Sequence, residues 1–190
     1  MMESAVNFLN NADIDLFLFF NKYHNSFFDV LMFNISKKYI WLPLYAFALF
    51  LLIKKYKIKK ALLILAFFIL LIVLSDQTSV HLFKNVFQRL RPCYNPDIEM
   101  MVHTINLPGS RYGFVSSHAG NAFAFAFLSL LLIKNRNYSI AILVWASIVS
   151  YSRIYLGVHY PGDIIGGAVL GIILSIIIYI IIKNSILKSN

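Results

Sequence analysis

Acidic side chains are scarce in this chain. Eight Asp and Glu stand against 17 Lys and Arg, a formal net charge of +9. Charged residues of both signs reach only 13%, too few to cover a soluble domain of this length. Cysteine is rarer still. Cys93 is the only one, which excludes an internal disulfide and any Cys-rich metal site. No basic stretch precedes the first apolar residues, MMESAVNFLNNA, so a cleavable signal peptide is not expected. Low-complexity linkers and internal repeats are also missing.

What fills the chain is apolar. Hydrophobic residues make up 59% and the mean hydropathy is +0.73. They come in blocks rather than in alternation, which points to membrane spans. Five blocks stand out: residues 39–53, 61–83, 119–133, 138–155 and 164–182. Each is read as a helix, because an open strand cannot satisfy its backbone in lipid. The stretch from Val6 to Ser36 is interrupted by Asp13, Asp15, Lys22, His24 and Asp29. It reads either as interfacial amphipathic helices, the preferred reading, or as a sixth span. The expected fold is therefore an all-α polytopic membrane bundle of five to six transmembrane helices. Residues 1–38 would form the interfacial segment and residues 39–190 the membrane-embedded domain.

The basic residues sort by side. Lys54–Lys60 (KKYKIKK), Lys134 with Arg136, and Lys183 with Lys188 all fall on one side of the bundle, with no acid among them. By the positive-inside rule that side is cytoplasmic. This patterning explains the net charge without nucleic acid, which is not an expected partner. The polar loop 85–117 and the turn 157–162 then share the outer face, and chemistry is expected there.

Three clusters occupy that face. In Lys84-Asn-Val-Phe-Gln-Arg-Leu-Arg91-Pro92, Lys84 and Arg91 would share one helix face if the second helix runs that far, and two cations there could clamp an anion. Basic residues at a span's end also serve as plain headgroup anchors. In Val115-Ser116-Ser117-His118, either serine can cap the third block, and a helix N-terminus attracts anions. His118 would stand beside such an anion as a proton donor. In Ser152-Arg153 through His159 to Asp163, a turn with Gly157, Pro161 and Gly162 precedes the fifth block. Asp163 follows His159 by one helical turn, so its carboxylate could fix the imidazole tautomer. The blander reading is a His–Asp pair that only caps the helix.

Taken together, Lys84-x6-Arg91-Pro92, Ser116-Ser117-His118 and Ser152-Arg153-x5-His159-x3-Asp163 resemble the type 2 phosphatidic acid phosphatase (PAP2) superfamily, in its membrane lipid phosphatase branch. One position departs. The family's second motif usually reads Pro-Ser-Gly-His, and Ser117 stands here for the glycine. The resemblance implies that His159 attacks phosphorus and forms a phosphohistidine, and that Asp163 orients it. It also implies that His118 protonates the leaving oxygen and then activates water. Lys84, Arg91, Ser116, Ser117 and Arg153 would bind the phosphate. No carboxylate cluster suits Mg²⁺ or Zn²⁺, so neither a metal nor a cofactor is expected.

The expected substrate is a lipid phosphate that stays in the bilayer, first of all undecaprenyl diphosphate. Phosphatidylglycerophosphate, phosphatidic acid and lipid A phosphates are the alternatives. An anionic-lipid carrier is the non-enzyme alternative, but it leaves His118 and the His159–Asp163 pair without a reason. The expected setting is a bacterial inner membrane, with the site facing the periplasm.

Overall fold

The computed structural model describes residues 2–188. Its elements are α1 (Met2–Asn21), α2 (Ser26–Ile35), α3 (Leu42–Thr78), α4 (Asn85–Phe87), α5 (Ser117–Ile133), α6 (Arg136–Tyr155) and α7 (Pro161–Ile182). A π-turn, Ser79–Lys84, joins α3 to α4. Among the described residues there is no strand, only an isolated bridge between Leu90 and Tyr112.

Most of the first two apolar blocks lies in α3, divided at Lys57, whose φ of 62° breaks the helix. Tyr45 before the break and Phe68 after it both pack on Phe125, with ring centroids 4.8 and 5.3 Å away. The chain therefore doubles back at the lysine-rich link, and residues 42–56 and 58–78 run side by side. Lys55 Nζ reaches past the turn and donates to Leu132 O and Ile133 O, both at 2.9 Å. A cation there answers the unpaired carbonyls at the C-terminus of α5. The basic link thus sits at the end of the bundle opposite the first turn of α5.

α5 is the central helix. Ala119, Ala122, Ala124 and Ala126 are buried along it, and their small side chains let α3, α6 and α7 close around it. The approach to α7 is tightest. A Cβ on Gly171 would collide with Gly120 O, and one on Gly167 with Ser116 O. Ser175 Oγ adds a hydrogen bond to Ala124 O at 2.9 Å. The other face of α7 presents Ile165, Val169, Ile173, Ile177 and Ile180 outward, each about half exposed. An exposed apolar stripe at helical spacing is a surface for lipid tails. Two helical stretches, Lys38–Phe87 and Pro161–Leu187, are long and apolar enough to cross a bilayer.

Candidate active site

The three polar clusters converge at one end of the bundle, on a cavity of about 270 Å³. Its walls include Lys84, Arg91, Ser117, His118, Arg153 and His159. Each arrives by a different local device. Lys84 closes the π-turn. Asp76, Gln77, Thr78 and Ser79 are poor company for lipid, and here the helix widens. Ser79 Oγ bonds back to Asp76 O at 2.8 Å and meets Ser117 Oγ at 2.7 Å. Lys84 Nζ donates to the same Ser117 Oγ at 2.6 Å.

Arg91 does not share a helix face with Lys84, contrary to the sequence expectation. Gln88 adopts a left-handed conformation, φ 47°, and ends α4. Arg91 follows in extended backbone, pinned by Arg91 N–H to Arg111 O at 2.9 Å. Pro92 could not have continued a helix in any case. The two cations still meet across the cavity, brought there by tertiary structure rather than helical periodicity.

Ser116 is the N-cap of α5 and accepts from Ala119 N–H at 3.4 Å. It is fully buried and stands behind the cavity wall rather than in it. Ser117 begins the helix and does line the cavity. His118 follows in the first turn. Arg153 lies in the last turn of α6, and its buried Nε has no hydrogen-bond partner. A buried guanidinium N–H left unpaired is costly, and an anion in the cavity would satisfy it.

His159 sits in the turn between α6 and α7, which Gly157 makes possible with φ +73°. It is buried, 2% exposed. Arg91 NH1 lies 2.8 Å from His159 Nε2. Arginine can only donate, so Nε2 carries the lone pair and the ring proton is on Nδ1. That proton is given to Asp163 Oδ2 at 3.2 Å. Burial pushes the basicity of His159 well below that of a free imidazole, and the nearby cations Arg91, Arg153 and Lys84 push it further. The ring is therefore neutral, with its basic nitrogen turned toward the cations. Gly113 covers the pair so closely that an added Cβ would stand 3.0 Å from Asp163 Oδ2 and 3.5 Å from His159 Nδ1.

Asp163 has no exposure at all. Oδ2 also accepts from Tyr160 N–H at 3.0 Å, and Oδ1 from Arg89 NH1 at 2.9 Å. Arg89 was overlooked in the sequence because it lay between two cations of the motif and had no spacing to mark it. Lys38, Asp76 and Asn121 also line the cavity. No sequence signal marks Lys38 or Asn121, and Asp76 places a negative charge near Lys84 without a hydrogen bond to it. Among the described residues, no group of three or more His, Cys, Asp or Glu converges as a metal site.

A second cavity, about 410 Å³, adjoins the first. It is walled by apolar and aromatic side chains such as Trp41, Tyr45, Phe68, Phe125 and Trp145. Lys38, His118 and Asn121 belong to both cavities.

An apolar helical bundle with a cationic cavity and two imidazoles at one end is the layout of a membrane enzyme that works on phosphate. The chain belongs to the PAP2 superfamily, whose sequence profile matches residues 61–187. It is a membrane lipid phosphatase of that family. Over 169 residues it is 40% identical to a "Lipid A 4'-phosphatase" of Bacteroides thetaiotaomicron, covering 87% of this chain and 75% of that protein. It is 32% identical to an "Undecaprenyl-diphosphatase" of Sulfolobus acidocaldarius, covering 84% of this chain and 73% of that protein. The fold is similar to the crystal structure of a transmembrane PAP2 type phosphatidylglycerolphosphate phosphatase from Bacillus subtilis. There the TM-score is 0.70 at 22% identity, over 97% of this chain and 89% of that one.

Proposed function

We propose that this chain removes a phosphate from lipid A or a closely related phosphorylated glycolipid, through a phosphohistidine on His159. The observation that carries the lipid reading is the pair of joined cavities. One is cationic and the other apolar, and His118 stands in the wall of both. A phosphate can occupy the first while a hydrocarbon chain fills the second. The choice of lipid A rests on the higher identity to the lipid A 4'-phosphatase, 40% against 32% for the undecaprenyl-diphosphatase. Undecaprenyl diphosphate, the first expectation from sequence, becomes the second reading.

The arrangement of the site supports the following steps. Phosphate displaces Arg91 NH1 from His159 Nε2, and the guanidinium then binds a phosphoryl oxygen. The Nε2 lone pair attacks phosphorus, and the P–O bond to the lipid breaks. With the phosphate anion bound beside it, His118 takes up a proton from solvent and gives it to the leaving oxygen. Asp163 stabilises the imidazolium as positive charge grows on His159. Lys84, Arg91 and Arg153 hold the equatorial oxygens, where transition-state charge gathers. The Ser117 amide and hydroxyl complete the cradle, and Ser116 serves it indirectly by capping α5. His118 then takes a proton from water, which attacks phosphorus and releases phosphate with His159 restored.

In this reading α1 and α2 lie at the membrane interface and residues 39–190 form the embedded domain. The basic link at Lys57 faces the cytoplasm and the site faces outward. A panel of lipid A, undecaprenyl diphosphate and phosphatidylglycerophosphate, offered to purified protein, tests the substrate. Turnover of lipid A at the highest kcat/KM is expected. A preference for the prenyl diphosphate would overturn the choice of lipid.

A further inference from the structure

The family profile begins at residue 61, so α1 lies outside it. Yet one face of α1 is spent on the catalytic turn. Asn10 Oδ1 accepts from Arg89 NH2 at 3.2 Å. Asp13 Oδ2 accepts from Arg89 NH2 at 2.7 Å, and Asp13 Oδ1 from Gly162 N–H at 2.7 Å. Phe17 is fully buried and meets the Tyr160 ring edge-on, with centroids 5.5 Å apart. Asn21 is 1% exposed. Its amide donates to His103 O, Ile154 O and Tyr155 O, and its oxygen accepts from His103 N–H. These residues recur at helical spacing, so they form one stripe along α1.

The stripe has an electrostatic centre. Asp163 is a fully buried carboxylate, and a buried charge needs a fixed partner. Arg89 supplies it, donating NH1 to Asp163 and NH2 to Asp13. The guanidinium also lies 4.1 Å over the Tyr160 ring. Asp13 thereby fixes Arg89, Arg89 fixes the outer oxygen of Asp163, and the inner oxygen fixes His159 Nδ1–H. Neither Arg89 nor Asp13 lines the phosphate cavity.

We infer that Asp13 and Arg89 are positioning residues, and that α1 is a clamp holding the His159–Asp163 pair in its reactive tautomer. The inference rests on the phosphatase reading of the site. Removing an outer partner costs about 10- to 100-fold where a carboxylate orients a metal-bound histidine, and a loss of that order is expected here. Because the pair acts on the nucleophile and not on the phosphate, the loss falls on kcat.

The test is kinetic and spectroscopic. Wild-type turnover that His159→Ala abolishes establishes the phosphatase reading by itself. Arg89→Ala and Asp13→Ala should each lower kcat by about 10- to 100-fold with KM changed less than about threefold. The double variant should lose no more than Arg89→Ala alone, because the two residues act in series. Arg89→Lys and Asp13→Asn should recover part of the loss, and equal detergent melting temperatures exclude unfolding. Histidine ¹⁵N spectra read the same claim without turnover: wild type holds the Nδ1–H tautomer of His159, and Arg89→Ala mixes the two tautomers. An unchanged tautomer, a rise in KM in place of a fall in kcat, or additive losses would overturn the inference.

Discussion

His159 is where one side chain decides the most. Its lone pair faces Arg91, its proton faces Asp163, and burial with three cations keeps it neutral. In the proposed reaction His159 attacks without its second proton, and its basicity is depressed. The reactive form therefore persists as pH falls through the usual imidazole value of about 6.5. Histidine NMR of the purified protein should show His159 neutral at pH 6. A midpoint at or above 6.5 would contradict this. Ser117 carries a second prediction at this scale. Its hydroxyl holds Lys84 Nζ and Ser79 Oγ, a role that a glycine cannot fill. Ser117→Gly keeps the backbone amide and frees Lys84, so KM should change by about fivefold or less, the worth of one hydrogen bond near 1 kcal/mol. Complete loss of turnover would show that the hydroxyl does more.

At the scale of elements, the helices and their caps were legible in the sequence, and the loops were not. Ser116 caps α5, Pro161 opens α7, and His159 meets Asp163 one turn on. Each of these is a local relation that a few residues determine. Arg91 was misplaced because helical periodicity was extended through a π-turn and a left-handed Gln88, neither of which spacing reveals. Arg89 and Asp13 were overlooked for a related reason: their partnership joins residues far apart in the chain, and no motif encodes it. The α5–α7 contact gives a prediction of its own. Gly171 leaves no room for a side chain against Gly120. Gly171→Val should cost about 1–3 kcal/mol by overpacking, lowering Tm by roughly 2–4 °C per kcal/mol. Thermal melting in detergent measures it, and an unchanged Tm would mean the helices are not so closely pressed.

For the whole molecule, composition already told most of the story. Scarce charge, blocks of apolar residues and lysine-rich links between them point to a helical membrane bundle with a polar end. The site's cationic character was equally readable, because phosphate chemistry needs cations and imidazoles at helix ends. The lipid was not readable, since motifs that grip phosphate carry no information about a tail. The apolar cavity is made by α3, α5 and α6 with the end of α2 and exists only in the fold. Charge from fixed side chains leads to another expectation: turnover should survive excess chelator. Abolition by chelator with rescue by Mg²⁺ would contradict it.

In the proposed reaction phosphate passes through His159. The most direct measurement is to quench turnover of a ³²P-labelled lipid phosphate in base and map the label by mass spectrometry. An acid-labile phosphoramidate is expected on the peptide carrying His159, absent from His159→Ala. Turnover without any label on that peptide, or label unaffected by the substitution, would contradict it.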